Sequence, residues 1–260
     1  MKCIVEKSER IKAMPTDQTE LTNHFERDGF AVIDELADAT TVQTLGRIYD
    51  SMLSGEIACP GTDRALGGLT RQIMMPHLHH PLFAANPVLE SAKLLARELI
   101  KSEDPQFFFS MLIYKPAGHP HDTPWHQDMS YAGKPFTPAG TSRPNNVIAQ
   151  FWLALDDVDD TMGCMEFIPG VQHQPMPPHI VASGDPDDDG RLLAIDNVER
   201  YLNLSTAIKC PLKAGSATVH GYATPHYTGP NYSKRGRRAY IFSFANIERL
   251  SELHAEQARN

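Results

Sequence analysis

The chain has 260 residues, a formal net charge of −8 at pH 7 and 41% hydrophobic residues. A chain of this length can bury about 70–75% of its extended surface, so it can fold as one domain without a disulfide or a structural metal. The acidic balance argues against nucleic acid as the main partner. No apolar run approaches the roughly 20 residues of a membrane span. We therefore expect a single domain over residues 1–260 that contacts no membrane.

The cysteines are scattered along the chain as Cys3, Cys59, Cys164 and Cys210, and no two form a Cys-x-x-Cys pair. This pattern is typical of reduced thiols and not of a disulfide framework or a zinc site. The apolar stretch near the N-terminus is too short for a signal peptide. We interpret residues 1–15 as a loosely attached arm and expect a cytoplasmic protein.

The first half of the chain predicts three helices and one strand. A helix follows Thr16-Asp17 and ends near Arg27, and residues 30–34 form a strand after Asp28-Gly29. Asp38 and Asn86 offer capping oxygens for the second and third helices. Apolar residues recur at helical spacing behind both caps: Val42, Leu45, Ile48, Met52 and Leu53, then Val88, Leu89, Leu95, Leu99 and Ile100.

Three histidines, His77, His79 and His80, lie close together after a glycine-rich loop over residues 55–68. No thiolate or carboxylate accompanies them, and Pro76 and Pro81 interrupt the spacing. We interpret them as structural residues and not as a second metal site.

The second half of the chain predicts strands, at 107–114, 147–155, 165–168, 206–211, 216–220 and 238–245. Residues 132–145 contain prolines and glycines typical of a mobile loop, and we expect this loop to cover a site. Residues 184–196 carry aspartates at EF-hand spacing. Because Pro186 occupies the second position and no amphipathic helix pair flanks the segment, we interpret it as a solvated acidic loop.

The segment Trp125-His126-Gln127-Asp128 predicts a metal site. Residues two apart on an extended segment project to the same side, so His126 and Asp128 can bind one ion. A third ligand would complete the two-histidine, one-carboxylate face of a non-haem Fe(II) oxygenase. His220 and His226 are the two candidates.

The pattern His126-x-Asp128, followed by His226 and Arg237, resembles that of the phytanoyl-CoA dioxygenase family of Fe(II)- and 2-oxoglutarate-dependent oxygenases. The resemblance spans about residues 18–245 and includes the motifs 111–116, 151–158 and 163–170. It implies a mainly β fold with flanking helices. This is a double-stranded β-helix, a jelly-roll or cupin-like barrel over residues 105–245, with the N-terminal helices packed outside.

The resemblance also implies roles at the site. His226 is favoured as the third iron ligand because it precedes Arg237 by 11 positions in the matching motif, and His220 is then a core or supporting histidine. The cosubstrate 2-oxoglutarate would lie along Met111, Trp152, Thr228 and Arg237, with Arg71 a further contact. Met129 and Tyr131 would face the substrate. Arg238 would point the other way, as a surface charge.

The implied activity is the oxidation, by hydroxylation, of an unactivated C–H bond of a small organic substrate. It would consume O2 and 2-oxoglutarate and release succinate and CO2. Desaturation, cyclisation or epoxidation with the same cofactors is the alternative. The other classes are a non-oxidative metal-binding cupin-like protein, which needs no keto-acid clamp such as Arg237 and Thr228, and an inactive binding module, which needs no intact set of three metal ligands. We expect a monomer or a homodimer.

Overall fold

The computed structural model of the chain describes residues 18–66, 70–131, 139–140, 144–183 and 192–257. The helices are α1 Gln18–Asp28, α2 Ala39–Ser54, α3 Pro87–Leu99, α4 Val198–Tyr201 and α5 Ile247–Gln257. The strands are β1 Phe30–Ile33, β2 Asp63–Leu66, β3 Thr70–Met74, β4 Gln106–Lys115, β5 Thr123–His126, β6 Ile148–Ala154, β7 Met165–Phe167, β8 His179–Val181, β9 Leu193–Ile195, β10 Ile208–Cys210, β11 Ala217–Gly221, β12 His226–Thr228 and β13 Arg237–Ala245. Short 3-10 turns lie at Pro76–Leu78, Pro81–Phe83, Asp128–Tyr131, Asn145–Val147 and Leu204–Thr206.

The larger of two antiparallel sheets has seven strands in the order β1-β11-β6-β13-β4-β3-β2. Side chains on β13 alternate between its faces, as expected for a strand. Tyr240 and Phe242 pack in a core cluster that contains residues of α1, α2 and α3. Ala239 and Ile241 pack on the opposite face. The predicted N-terminal helices therefore cover one face of this sheet.

The smaller sheet has four strands in the order β10-β7-β12-β5, and β8 and β9 form a separate hairpin. Phe167 of the smaller sheet shares a core cluster with Phe30, Trp152 and Ile241 of the larger sheet, so the two sheets face each other. Within the described residues, no strand pairing joins the two sheets into a closed barrel. The observed fold is mainly β, with two facing antiparallel sheets and helices outside.

The two predicted helix caps are confirmed. The Asp38 carboxylate accepts a hydrogen bond from the Thr41 backbone N–H at 2.7 Å. The Asn86 side-chain oxygen accepts from the backbone N–H groups of Val88 and Leu89. Each cap pairs N–H groups that the first helical turn leaves without an intrahelical partner.

The histidines near residue 77 each contact a different partner. The His77 ring bonds the Ser110 hydroxyl at 2.8 Å, the His79 ring bonds the Thr62 hydroxyl at 2.6 Å, and His80 accepts from the Leu82 backbone N–H. Among the described residues they are not part of a metal-binding group, which fits their structural interpretation.

Some predicted segments lie outside the described residues: the N-terminal arm, most of the loop over 132–145, and the aspartates of the acidic loop up to residue 191. None of the helices in the described ranges has both the length and the apolar character needed to cross a membrane.

Candidate metal centre and anion pocket

His126, Asp128 and His226 meet at one end of the smaller sheet. Each offers a ligand atom, and these atoms all lie within 4.8 Å of one another, with 3.8 Å between the His226 Nε2 and an Asp128 oxygen. His126 ends β5 and pairs directly with His226 on β12. Asp128 begins a 3-10 turn instead of continuing the strand, so the turn, and not strand alternation, brings it beside the histidines.

Hydrogen bonds fix the orientation of both imidazoles. The Nδ1–H of His126 donates to the Pro124 carbonyl at 2.7 Å, and that of His226 donates to the Thr224 carbonyl at 3.0 Å. Each ring therefore presents the Nε2 lone pair to the centre, as ligating histidines do. Burial lowers the pKa of His126 and His226, which favours the neutral form that a metal needs.

Two side chains hold the Asp128 carboxylate: Gln150, for which the sequence indicated no role, and His220, which the resemblance implied as a core or supporting histidine. Gln150 on β6 donates to it at 2.7 Å, and the Nε2 of His220 on β11 lies 3.3 Å from the same oxygen. Burial alone would raise the pKa of Asp128, but His226 and the His220 hydrogen bond outweigh it, so the pKa is lowered. The carboxylate is thus ionised, and it faces the rings of the two candidate ligands His126 and His226.

His179 on β8 supports the segment between the two candidate ligands. Its Nε2 accepts from the Gln127 backbone N–H at 3.2 Å, and its Nδ1–H donates to the Pro177 carbonyl at 2.9 Å. Burial lowers the pKa of His179 to about 4, so the neutral ring can accept that bond. No sequence signal identified this residue, because the contact joins positions 52 residues apart.

Arg237 lies fully buried between the sheets and has unused hydrogen-bonding capacity. Its Nη1 donates to the Gly163 carbonyl at 3.0 Å, and its guanidinium lies 5.2 Å from the centroid of a Trp152 ring. Its Nε and Nη2 have no hydrogen-bond partner among the described residues. Buried donors are nearly always paired. The unpaired Nε and Nη2 can therefore donate together to the two oxygens of one carboxylate.

Gly163 allows the close approach that supplies this carbonyl. Its φ is 70°, and a Cβ there would lie 2.2 Å from the Gly229 carbonyl oxygen. Only glycine fits both the left-handed backbone and that contact. The Gly163 motif of the sequence thus has a packing role beside Arg237.

Lys115 is a second buried basic side chain, directly opposite Arg237 in the pairing of β4 with β13. Its Nζ lies 3.0 Å from the Thr228 hydroxyl, 3.1 Å from the Thr228 carbonyl and 2.8 Å from the Gly229 carbonyl. Burial and the nearby Arg237 lower its pKa to about 6. We call Arg237, Lys115, Thr228 and Trp152 the anion pocket. Lys115 belongs to the motif 111–116, but the sequence indicated no role for it.

The proposed role of Arg71 does not agree with its position. Arg71 pairs with Tyr114, whose ring packs on the helix-covered face of the larger sheet, whereas Lys115 and Arg237 project to the other face. Its guanidinium forms a salt bridge with Asp63 and bonds a carbonyl of α2. Because residues alternate along β3, Gln72, and not Arg71, shares the face of the anion pocket.

The remaining predicted site residues have mixed positions. Met111 packs partly buried against the inter-sheet core beside Trp152. Met129 is buried in a separate apolar cluster with Val147 and Tyr222. The Tyr131 ring lies edge-on to His126 with centroids 6.1 Å apart, and its hydroxyl accepts from a backbone N–H of β9. Of the two proposed substrate residues, Tyr131 is thus the one that reaches toward the centre.

Arg238 is not a free surface charge, contrary to the sequence interpretation. It bonds Asp156 through its backbone N–H and its guanidinium, and it forms a second ion pair with Asp50 of α2 at 2.9 Å. These contacts connect β13 to the helix layer.

The geometry at the end of the smaller sheet defines a class of protein. Two neutral histidines and one ionised carboxylate share a centre at the end of a sheet, and His226 and Thr228 connect it along β12 to a buried anion pocket. Such a ligand face, with positions left for other ligands, is typical of non-haem iron proteins.

Comparison with known proteins agrees with this class. The family model described as Phytanoyl-CoA dioxygenase (PhyH) matches residues 25–239, and the chain belongs to this family. The peroxisomal phytanoyl-CoA dioxygenase of Bos taurus is 27% identical over 140 residues, which are 53% of this chain and 38% of that protein. The chain thus spans less than half the length of this relative.

Solved structures share the fold over nearly the whole chain. EvdO2 from Micromonospora carbonacea var. aurantiaca, in complex with 2-oxoglutarate, has 28% identity and a TM-score of 0.72, covering 90% of this chain and 93% of that one. The epimerase SnoN, in complex with Fe3+, alpha ketoglutarate and nogalamycin RO, has 20% identity and a TM-score of 0.67. That match covers 88% of this chain and 83% of the other.

Proposed function

We propose that the chain is an Fe(II)- and 2-oxoglutarate-dependent dioxygenase. It hydroxylates an unactivated C–H bond of a small organic substrate and releases succinate and CO2. The observation that carries this proposal is the anion pocket beside the metal centre. A metal protein without a keto-acid cosubstrate has no need of a buried guanidinium with two nitrogens, Nε and Nη2, that lack a hydrogen-bond partner.

The residues present fit both groups. His126 and His226 would bind iron through Nε2, and Asp128 would supply the anionic ligand. Arg237 would bind the distal carboxylate of 2-oxoglutarate, with Thr228 beside it and Trp152 and Met111 lining the pocket. Iron held there supplies the redox chemistry that couples O2 and the 2-oxo acid to oxidation of a substrate.

The protein's own contribution is positioning. Hydrogen bonds from Gln150 and His220 fix the carboxylate, and backbone carbonyls fix both imidazoles. The facing sheets exclude water from Arg237, which strengthens its contact with an anion. We also propose that the two sheets correspond to the double-stranded β-helix of the family, as the shared fold of EvdO2 supports.

The test has two parts. Purified protein, loaded anaerobically with Fe(II), should bind 2-oxoglutarate and develop the visible absorption of the iron chelate. In air, succinate should form above the uncoupled background with at least one member of a panel of acyl-CoA thioesters, amino acids and natural products. Absence of both the chelate and the succinate would contradict the proposal.

Product analysis separates hydroxylation from other outcomes. A structural neighbour with this fold is an epimerase. Hydroxylation or epoxidation adds one oxygen to the substrate, whereas epimerisation leaves its mass unchanged and desaturation or cyclisation removes two hydrogens. Mass spectrometry of the product that accompanies succinate distinguishes these three mass changes, and NMR of the product separates an alcohol from an epoxide. A non-oxidative cupin-like protein would bind the metal without forming succinate.

A further inference from the structure

Lys115 has an unusual set of neighbours for a buried amine. Its side chain is fully buried, and its Nζ is surrounded by the Thr228 carbonyl, the Gly229 carbonyl and the Thr228 hydroxyl, at 2.8–3.1 Å. The two carbonyls can only accept hydrogen bonds. The hydroxyl can either donate or accept. The direction of the Lys115–Thr228 bond is therefore set by the number of hydrogens on Nζ.

The two protonation states give different hydroxyl directions. A neutral amine has two hydrogens and a lone pair, so it donates to the two carbonyls and accepts from the Thr228 hydroxyl. An ammonium has three hydrogens and donates to all three oxygens. Only then is the Thr228 hydrogen free to donate to another acceptor, and Thr228 stands two residues after His226 on β12.

This inference rests on the function proposed above. We propose that Lys115 is a positioning residue of the anion pocket: it takes up one proton from solvent when 2-oxoglutarate binds, and this turns the Thr228 hydroxyl hydrogen toward the cosubstrate carboxylate. The proton adds to the Nζ lone pair, and no covalent bond of the cosubstrate changes. The pocket thereby gains one positive charge, on Lys115, when the anion binds.

The charged groups around Lys115 support this coupling. Arg237 faces it from β13, while His119 and Asp122 lie on the loop that follows β4. Burial and Arg237 lower the pKa of Lys115 to about 6, and Asp122 acts weakly in the opposite direction. The free protein therefore carries mainly neutral Lys115 at pH 7.5. A carboxylate bound at Arg237 offsets the repulsion between the two cations and so favours the ammonium.

Calorimetry measures the proton directly. Mn(II)-loaded protein is titrated with 2-oxoglutarate at pH 7.5 in buffers of different ionisation enthalpy, and the slope of apparent enthalpy against ionisation enthalpy gives the protons taken up. We expect about one proton per 2-oxoglutarate in wild type and none in Lys115→Met, which should bind roughly 10–100-fold more weakly, as losing a hydrogen-bonded charge implies. Lys213→Met is the matched control, because Lys213 lies on the surface paired with Asp157, and it should match wild type in both quantities.

Two outcomes would overturn the inference. The first is tight binding of 2-oxoglutarate by wild type with no proton uptake. The second is uptake that survives in Lys115→Met but disappears in His119→Gln, which would assign the proton to the neighbouring histidine. Failure of wild type to bind 2-oxoglutarate at all would instead contradict the proposed function, so the two failures are distinguishable.

A double-mutant cycle tests the path through Thr228. If Lys115 acts by turning the hydroxyl, Lys115→Met should weaken binding less in a Thr228→Val background than in wild type, because the hydroxyl is already gone. Equal losses in both backgrounds would overturn the positioning role. Residues in direct contact can couple even in a merely structural role, so the proton count is the measurement that separates the two: a structural role would leave it unchanged in Lys115→Met.

Discussion

Two adjacent arginines on β13 have opposite surroundings. Arg237 lies between the sheets with two nitrogens that lack a hydrogen-bond partner, and Arg238 lies on the other face, paired with Asp156 and Asp50. Strand alternation explains the difference. The pair therefore provides a matched test of the anion pocket, because the same substitution at neighbouring positions removes either the pocket cation or a structural ion pair.

We predict that Arg237→Leu weakens 2-oxoglutarate binding by about 10²–10⁴-fold, because it loses two hydrogen bonds to a charged group. Iron binding should persist, since the ligands are untouched. The measurement is a titration of 2-oxoglutarate into anaerobic Fe(II) protein, followed by visible absorption. Arg238→Leu should keep the affinity and instead lower the midpoint of urea unfolding. Equal affinities in wild type and Arg237→Leu would remove the anion pocket from the mechanism.

The two candidate third ligands can be separated by metal content. His226→Ala should abolish stoichiometric Fe(II) binding, because it removes an Nε2 ligand. His220→Ala removes a hydrogen bond to Asp128 and a ring contact with His226, but no assigned ligand, and Gln150 still donates to the same Asp128 oxygen. Loss of such a support typically costs about 10–100-fold in metal affinity. The measurement is an anaerobic Fe(II) titration of both variants. If His220→Ala loses the metal and His226→Ala keeps it, the assignment of the third ligand is wrong.

At this scale the sequence indicated the residues whose chemistry is local. The spacing of His126 and Asp128, and the family resemblance around His226 and Arg237, indicated all four. Lys115, Gln150 and His179 were not assigned roles, because each depends on a contact with a residue distant in the chain. The role of Lys115 follows from its burial and its contact with Thr228, which the sequence alone does not show.

Elements with a helical periodicity or a long apolar run were predicted best. The helices α2 and α3 and the strands β4, β6, β11 and β13 lie within one or two residues of their predicted bounds. The strands β2, β3, β8, β9 and β12 were not predicted. They have three to five residues each, too few to show an alternating pattern, and their pairing partners decide their conformation. The same limit explains why the turn at Asp128 was taken as extended chain.

The helix layer offers a test within a single element. On α3, Leu99 is 1% exposed in the core against the larger sheet, whereas Leu94 is 62% exposed. We predict that Leu99→Ala lowers the free energy of unfolding by about 2–5 kcal/mol, as for other buried leucines. Leu94→Ala should change it by less than about 0.5 kcal/mol. Urea denaturation of both variants is the measurement, and similar losses would contradict the packing of this helix.

Across the whole molecule, buried basic groups with a lowered pKa make the folded state more stable as the pH rises. The pKa of Lys115 is about 6 in the folded chain against an ordinary value of 10.5, so between these values the unfolded chain binds the additional proton. Stability of the metal-free protein should therefore rise with pH over this range, by at most about 1.4 kcal/mol per unit for this group. The lowered pKa of His126, His179 and His226 adds a loss of stability below about pH 6.5.

The contribution of Lys115 can be isolated. Urea unfolding of metal-free wild type at pH 7 and pH 9 should show higher stability at pH 9. Lys115→Met should show a smaller rise than wild type, because methionine does not titrate, while all other groups remain. Parallel pH profiles for the two proteins would mean that Lys115 keeps its proton when buried.

The hydrogen bond from Lys115 to Thr228 crosses from the larger sheet to the smaller one. A cosubstrate that contacts both the metal ligands of the smaller sheet and Arg237 of the larger sheet would cross the same gap. Its binding should therefore slow amide hydrogen–deuterium exchange in β12 and β13 together. The bound cosubstrate then connects the two sheets by polar contacts, and the cooperativity of unfolding between the two sheets would increase when it is bound.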